Sequence, residues 1–92
     1  MTVYLVCYDI TDNSIRTAIA RVLEEYGDRV QRSVFEIVLR SDSELAEVLE
    51  RLRTEAEDEL NIRLYRLCKS CRAVSHTLEG DAVALFPSTI IV

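Results

Sequence analysis

Glycine and proline are scarce in this chain, with two and one among 92 residues. Gly27 and Gly80 stand alone, so no glycine-rich loop is available to cradle a phosphate. This counts against a regulatory domain that holds a small ligand in that way. Long hydrophobic runs are also missing. None approaches the ~20 apolar residues that a membrane-spanning helix needs, so no membrane partner is expected. The start, Met-Thr-Val-Tyr, lacks the basic region of a signal peptide, and a cytosolic (cytoplasmic) location is expected. Cysteine is sparse and odd in number, three in all, which does not suggest a disulfide framework. Cys68-Lys69-Ser70-Cys71 is a lone C-x-x-C. A structural zinc site takes four ligands, and His76 is the one further candidate at hand. The pair reads as two reduced thiols at a turn, prone to oxidation. There are no repeats, low-complexity tracts or linkers.

What is present suits one compact domain. Apolar residues make up 49% of the chain, which argues against disorder. A domain of this length buries only about 60–65% of its unfolded surface, and oligomerisation is a common way to add stability. The formal net charge is −5, at first sight unfavourable for a nucleic-acid partner. The acidity is concentrated, however. Residues 42–59 hold eight acids and two bases, and the rest of the chain is nearly balanced. A phosphate-binding face therefore has to be local.

Residues 3–9 read as a strand with apolar residues on both faces, the pattern of a central strand. Asp12 or Asn13 caps a helix whose stripe is Ile15, Ala18, Ile19, Val22, Leu23 and Tyr26. Gly27 sits where a helix commonly ends. Residues 29–39 are β-rich and interrupted at Arg32-Ser33, so they form one bent strand or two short ones. Ser41 and Glu44 form a capping box ahead of a second stripe, Leu45, Val48, Leu49, Leu52 and Ala56. Residues 61–67 and 73–78 read as strands, separated by a turn at 68–72. Gly80-Asp81 marks another turn. The apolar tail carries Pro87, which keeps it out of the middle of a sheet.

With residues 29–39 taken as a hairpin, the order is β-α-β-β-α-β, an α+β ferredoxin-like sandwich over residues 1–78. Residues 79–92 form a tail expected to supply an extra C-terminal strand for dimer or partner docking. Two helices cover one sheet face. The other face calls for a twofold partner, so a homodimer is expected.

The greasy strand ends on an acid. Asp9 stands where functional groups often lie, at a strand C-terminus just before a helix. Two readings compete. Asp9 either accepts hydrogen bonds from the amides of the following loop, or binds a hard cation such as Mg²⁺. One carboxylate is a poor metal site, and two brought together across a dimer axis make a better one. Arg16, Arg29 and Arg32 can hold phosphates or simply remain solvated. Phe35 belongs to a core, unless it lies open in a dimer cleft and stacks on a base.

The combination of Tyr8-Asp9-Ile10 after an apolar strand, Arg16, then "YGDRVQRSVFEIVL" and "IRLYRLCKSC" resembles the second CRISPR-associated protein family. The resemblance spans residues 3 to about 78. It implies a homodimeric subunit of the spacer-acquisition machinery and a metal-dependent endonuclease acting on RNA or double-stranded DNA. It further implies Asp9 as catalytic and Mg²⁺- or Mn²⁺-binding residue, and Arg16, Arg29 and Phe35 as residues that support action on nucleic acid. Gln31 and Ser33 match the family's strand motif. Some members carry a basic residue where this chain has Ala18. The alternative within the family is a non-catalytic adaptor that bridges integrase dimers on prespacer DNA.

Overall fold

The computed structural model describes residues 1–86. Seven elements follow one another: β1 (Thr2–Tyr8), α1 (Asn13–Glu24), β2 (Gly27–Gln31), β3 (Val34–Leu39), α2 (Asp42–Ala56), β4 (Ile62–Leu67) and the short α3 (Lys69–Ala73). The four strands form one sheet in the order β2-β3-β1-β4, and every neighbouring pair is antiparallel. This is the ferredoxin-like arrangement, with β1 central as its two apolar faces require.

The helices start where side chains can satisfy their free amides. Asp12 accepts from the backbone N–H groups of Ser14 and Ile15 at 2.9 and 3.0 Å, which caps α1. Ser41 accepts from Glu44 N at 3.2 Å. Glu44 reaches back one residue further than a standard capping box, to Arg40 N at 3.0 Å. Both helices lie on one sheet face. Val6 and Tyr8 of β1 and Phe35, Ile37 and Leu39 of β3 meet Ile19, Val22 and Leu23 of α1 and Val48, Leu52 and Ala56 of α2. Burying each large side chain contributes about 1.5–3 kcal/mol.

The opposite face carries Val3, Leu5 and Cys7, flanked through the strand register by Val34, Glu36, Val38, Arg63, Tyr65 and Leu67. The chain after α3 returns over part of this face. There Ala84 is buried, and its N–H donates to Glu36 Oε1 at 2.9 Å. Leu5, Cys7 and Val34 stay half-buried, and Tyr65 is 45% exposed.

Three sequence expectations change. Gly27 does not close α1 with a left-handed residue. It opens β2, where an added Cβ would lie 2.0 Å from Glu36 O and 2.6 Å from Ile37 Cα. Glycine is required here for close backbone approach, not for a positive φ. Residues 68–72 are not a plain turn, because most of them belong to α3. Residues 73–78 form no strand, and only an isolated bridge links His76 to Ala82. The reason is a local loop in which Thr77 N donates to Asp81 O at 2.8 Å and Gly80 N to Thr77 O at 2.9 Å. Those bonds occupy the backbone groups a sheet would need. The last part of the expected docking tail, from Pro87 onward, lies outside the described residues. Among the described residues, no helix is long and apolar enough to cross a membrane.

Candidate nucleic-acid site

Asp9 leaves the sheet with its backbone fixed on both sides. Tyr8 N donates to Ser33 O at 3.1 Å, and Asp9 N donates to Asn61 O at 3.0 Å. The β2–β3 turn and the entry to β4 thus anchor the end of β1. The Asp9 side chain is exposed, and its carboxylate has no hydrogen bond or ion pair within the described residues.

The loop amides that Asp9 was expected to serve are held by Glu59. Its Oε1 accepts from Thr11 N at 2.9 Å and from the Thr11 hydroxyl at 2.8 Å, and its Oε2 accepts from Asp12 N at 3.0 Å. The Thr11 amide, then its hydroxyl, and the Asp12 amide hold the Glu59 carboxyl below the usual carboxylate range. Asp12 is lowered as well, by the Ser14 hydroxyl first and then the Ile15 amide. It acts as a helix cap, as its position suggests. The turn-forming reading of Asp9 is therefore excluded, because its job is done by Glu59 in the loop that follows α2.

Asp9 borders a shallow depression of about 270 Å³ lined also by Cys7, Tyr8, Ser33, Val34, Asn61 and Arg63. Tyr8 and Ser33 are shared with a neighbouring polar cleft of about 190 Å³, which adds Asn13, Arg16, Thr17, Arg29 and Arg32. Three guanidinium groups line that cleft and no acid does. None of the three forms an ion pair within the described residues. Arg16 is aimed by two acceptors, Ile10 O at 3.1 Å and the Asn13 side-chain oxygen. Arg29 lies with its guanidinium carbon 5.3 Å from the centre of the Phe35 ring. Always charged, with unused donors, these groups can bind a polyanionic backbone.

Phe35 itself is a correction. It is fully buried, and its ring stacks on Tyr8 with centroids 6.3 Å apart. A residue with no exposed surface cannot stack on a base. It forms the floor on which Arg29 rests. Arg32 joins the cleft because the β2–β3 turn folds against the end of β1. Glu59 and Asn61 carry no signal in the sequence that sets them apart. Glu59 belongs to the acidic run that ends α2, and nothing local marks it as different from its neighbours.

One chain offers one free carboxylate here. Among the described residues no group of three or more His, Cys, Asp or Glu side chains is placed to hold a metal ion. The donor chemistry of Asp9 suits a hard cation, and a single chain leaves the set incomplete.

The family described as CRISPR associated protein Cas2 matches residues 1–74. The chain is 45% identical over 71 residues to a "CRISPR-associated endoribonuclease Cas2 1" of Chloroflexus aurantiacus, a match covering 75% of each chain. It is 43% identical over 63 residues to a "CRISPR-associated endoribonuclease Cas2" of Mycobacterium tuberculosis, covering 68% of this chain and 55% of that protein's length. Among solved structures it superposes on a chain of a "Partial Cas6-RT-Cas1--Cas2 complex". The TM-score is 0.85 at 32% identity, and both chains are covered completely.

Proposed function

Because this chain belongs to the CRISPR associated protein Cas2 family, we propose that it serves spacer acquisition in the cytosol as a homodimeric endonuclease that hydrolyses phosphodiester bonds of RNA or double-stranded DNA. The observation that carries this reading is the unengaged Asp9 carboxylate beside a cleft of three arginines, left free because Glu59 takes the loop amides. Arg16, Arg29 and Arg32 bind the backbone and set its register against Asp9. The half-exposed apolar sheet face, with Leu5, Cys7, Val34 and Tyr65, supports pairing of two copies across a twofold axis. Two Asp9 carboxylates then provide the donor set that one lacks. A Mg²⁺ or Mn²⁺ ion bound by them supplies charge neutralisation and an acidic water.

The test is cleavage of labelled RNA and duplex DNA by the whole chain with added magnesium or manganese. Chelation abolishes cleavage. Asp9→Asn lowers it at least about a hundredfold, as for loss of one electrostatic catalytic group, with elution volume unchanged. Equal cleavage by the Asn variant overturns the assignment.

The full-length likeness to a chain of a Cas1–Cas2 assembly supports a second reading. In it the dimer is an adaptor that bridges integrase subunits on prespacer DNA, with Asp9 dispensable. Deletion of residues 82–92 distinguishes this role. Loss of integrase capture, with spacer uptake intact in Asp9→Asn, favours the adaptor, and retained capture counts against it.

A further inference from the structure

The C-x-x-C pair has no part in the site around Asp9. Cys68 directly follows β4, and Cys71 lies in the first turn of α3. Both are exposed. Cys68 Sγ accepts from Cys71 N at 3.3 Å and lies 3.3 Å from Ser70 Oγ. The chain turn thus folds back on the Cys68 sulfur and brings Cys71 to it. A metal reading fails for want of ligands. No third His, Cys, Asp or Glu within the described residues completes a set, and His76 Nδ1 lies 2.9 Å from Thr77 O, hydrogen-bonded within its own loop. Two thiols held together in the open, with no metal ligands around them, have redox chemistry left to them.

We propose that Cys68 and Cys71 form a reversible dithiol–disulfide centre that exchanges with low-molecular-weight disulfides. The Cys68 thiolate attacks one sulfur of the small disulfide, whose S–S bond breaks. The first thiolate leaves with the electron pair and takes a proton from water. Cys71 then gives up its proton, attacks Cys68 Sγ and expels the second thiolate. Two protein thiols are oxidised, and one small disulfide is reduced to two thiols.

The roles of the two cysteines are unequal by construction. The Cys71 thiol, the Ser70 hydroxyl and the Cys71 amide lower Cys68 from the ordinary 9.0 to about 7. Cys71, facing that sulfur, is raised. Cys68 is thus the attacking group and Cys71 the resolving one. The same hydrogen bonds favour the reduced form, which makes the disulfide labile rather than structural. The centre stands at the root of the segment that returns over the helix-free sheet face to bond Glu36.

The experiment treats the reduced full chain with oxidised glutathione at pH 7 and maps the products by peptide mass spectrometry. Wild type loses two of its three thiols as an intramolecular 68–71 disulfide, without retained glutathione. Cys71→Ser stops at the mixed disulfide on Cys68. At pH 7 a thiol of pKa about 7 is ionised about 50-fold more than one at 9.0. Its lower intrinsic nucleophilicity reduces the gain to roughly sixfold. Cys71→Ser removes the thiol but keeps the residue-71 amide and the Ser70 hydroxyl at the Cys68 sulfur, so Cys68 in Cys71→Ser reacts faster than Cys71 in Cys68→Ser, by up to about sixfold. Equal rates, a stable glutathione adduct in wild type, a disulfide between two chains, or preferential oxidation of Cys7 overturns the proposal.

Discussion

Replacing Phe35 separates a floor from a base-stacking platform. The ring is fully buried between the helices and the sheet, so Phe35→Ala removes a core side chain and leaves a cavity. Such truncations cost about 3–5 kcal/mol. A domain of this length is stable by roughly 5–14 kcal/mol. The Ala variant therefore gives up a large fraction of the total, and its melting temperature falls by about 12–40 °C at 4–8 °C per kcal/mol. Phe35→Leu keeps most of the volume and loses the contacts with Tyr8 and Arg29. That loss is about 1–2 kcal/mol. Circular dichroism melts at one fixed protein concentration read both values, because pairing of copies makes the midpoint concentration-dependent. Fluorescence anisotropy with a labelled duplex reads binding in parallel. If the ring is the floor beneath Arg29, the Leu variant binds nearly as well as wild type. An Ala variant within about 1 kcal/mol of wild type that has lost binding refutes this account, since it means that the ring works at the surface.

Other perturbations follow from the same contacts. Gly27→Ala drives a methyl into Glu36 O and Ile37 Cα, so it destabilises by about 1–3 kcal/mol or more; thermal unfolding checks this, and a neutral result means that β2 slides away freely. Glu59→Gln places an amide N–H₂ against the N–H of Thr11 or of Asp12, so whichever of the two loses its acceptor exchanges several-fold faster with solvent, as read by hydrogen-exchange NMR. Glu59 and Asp12 are both lowered in the folded chain, so their stabilisation is complete above their ordinary values of 4.5 and 3.8. It disappears as pH falls through the lower folded values. Urea unfolding between about pH 5 and pH 2 shows this decline in wild type and a shallower one in Glu59→Gln.

The fold was largely legible because its determinants are local and periodic. Val3, Leu5 and Cys7 alternate with Tyr4, Val6 and Tyr8 to mark a strand covered on both faces, and Ile15, Ile19, Val22 and Leu23 trace a helix face. Asp12 and Ser41 announce the helices they cap. Gly27 reads as a helix end because a glycine that ends a helix and one that lets two strands approach look the same in a sequence. What separates them is the Glu36 carbonyl, nine positions away.

The site shows the same division more sharply. The place of Asp9 was legible from the strand that precedes it. Whether its carboxylate is spent or free was not. An aspartate followed, as here, by Ile-Thr-Asp-Asn ordinarily folds back on its own loop amides. Here Glu59, 48 positions from Thr11, satisfies those amides first, although its neighbours in sequence mark it as one more charge on an acidic helix end. Phe35 loses its alternative role as a base-stacking ring for a related reason. The aromatic ring goes under the sheet surface, and the arginine lies over it. In both cases a local pattern found the region, and a distant contact decided which group is left to face a ligand. An unsatisfied polar atom is a property of the packed chain, so a carboxylate with no work to do in its own fold carries more functional weight than the motif that contains it.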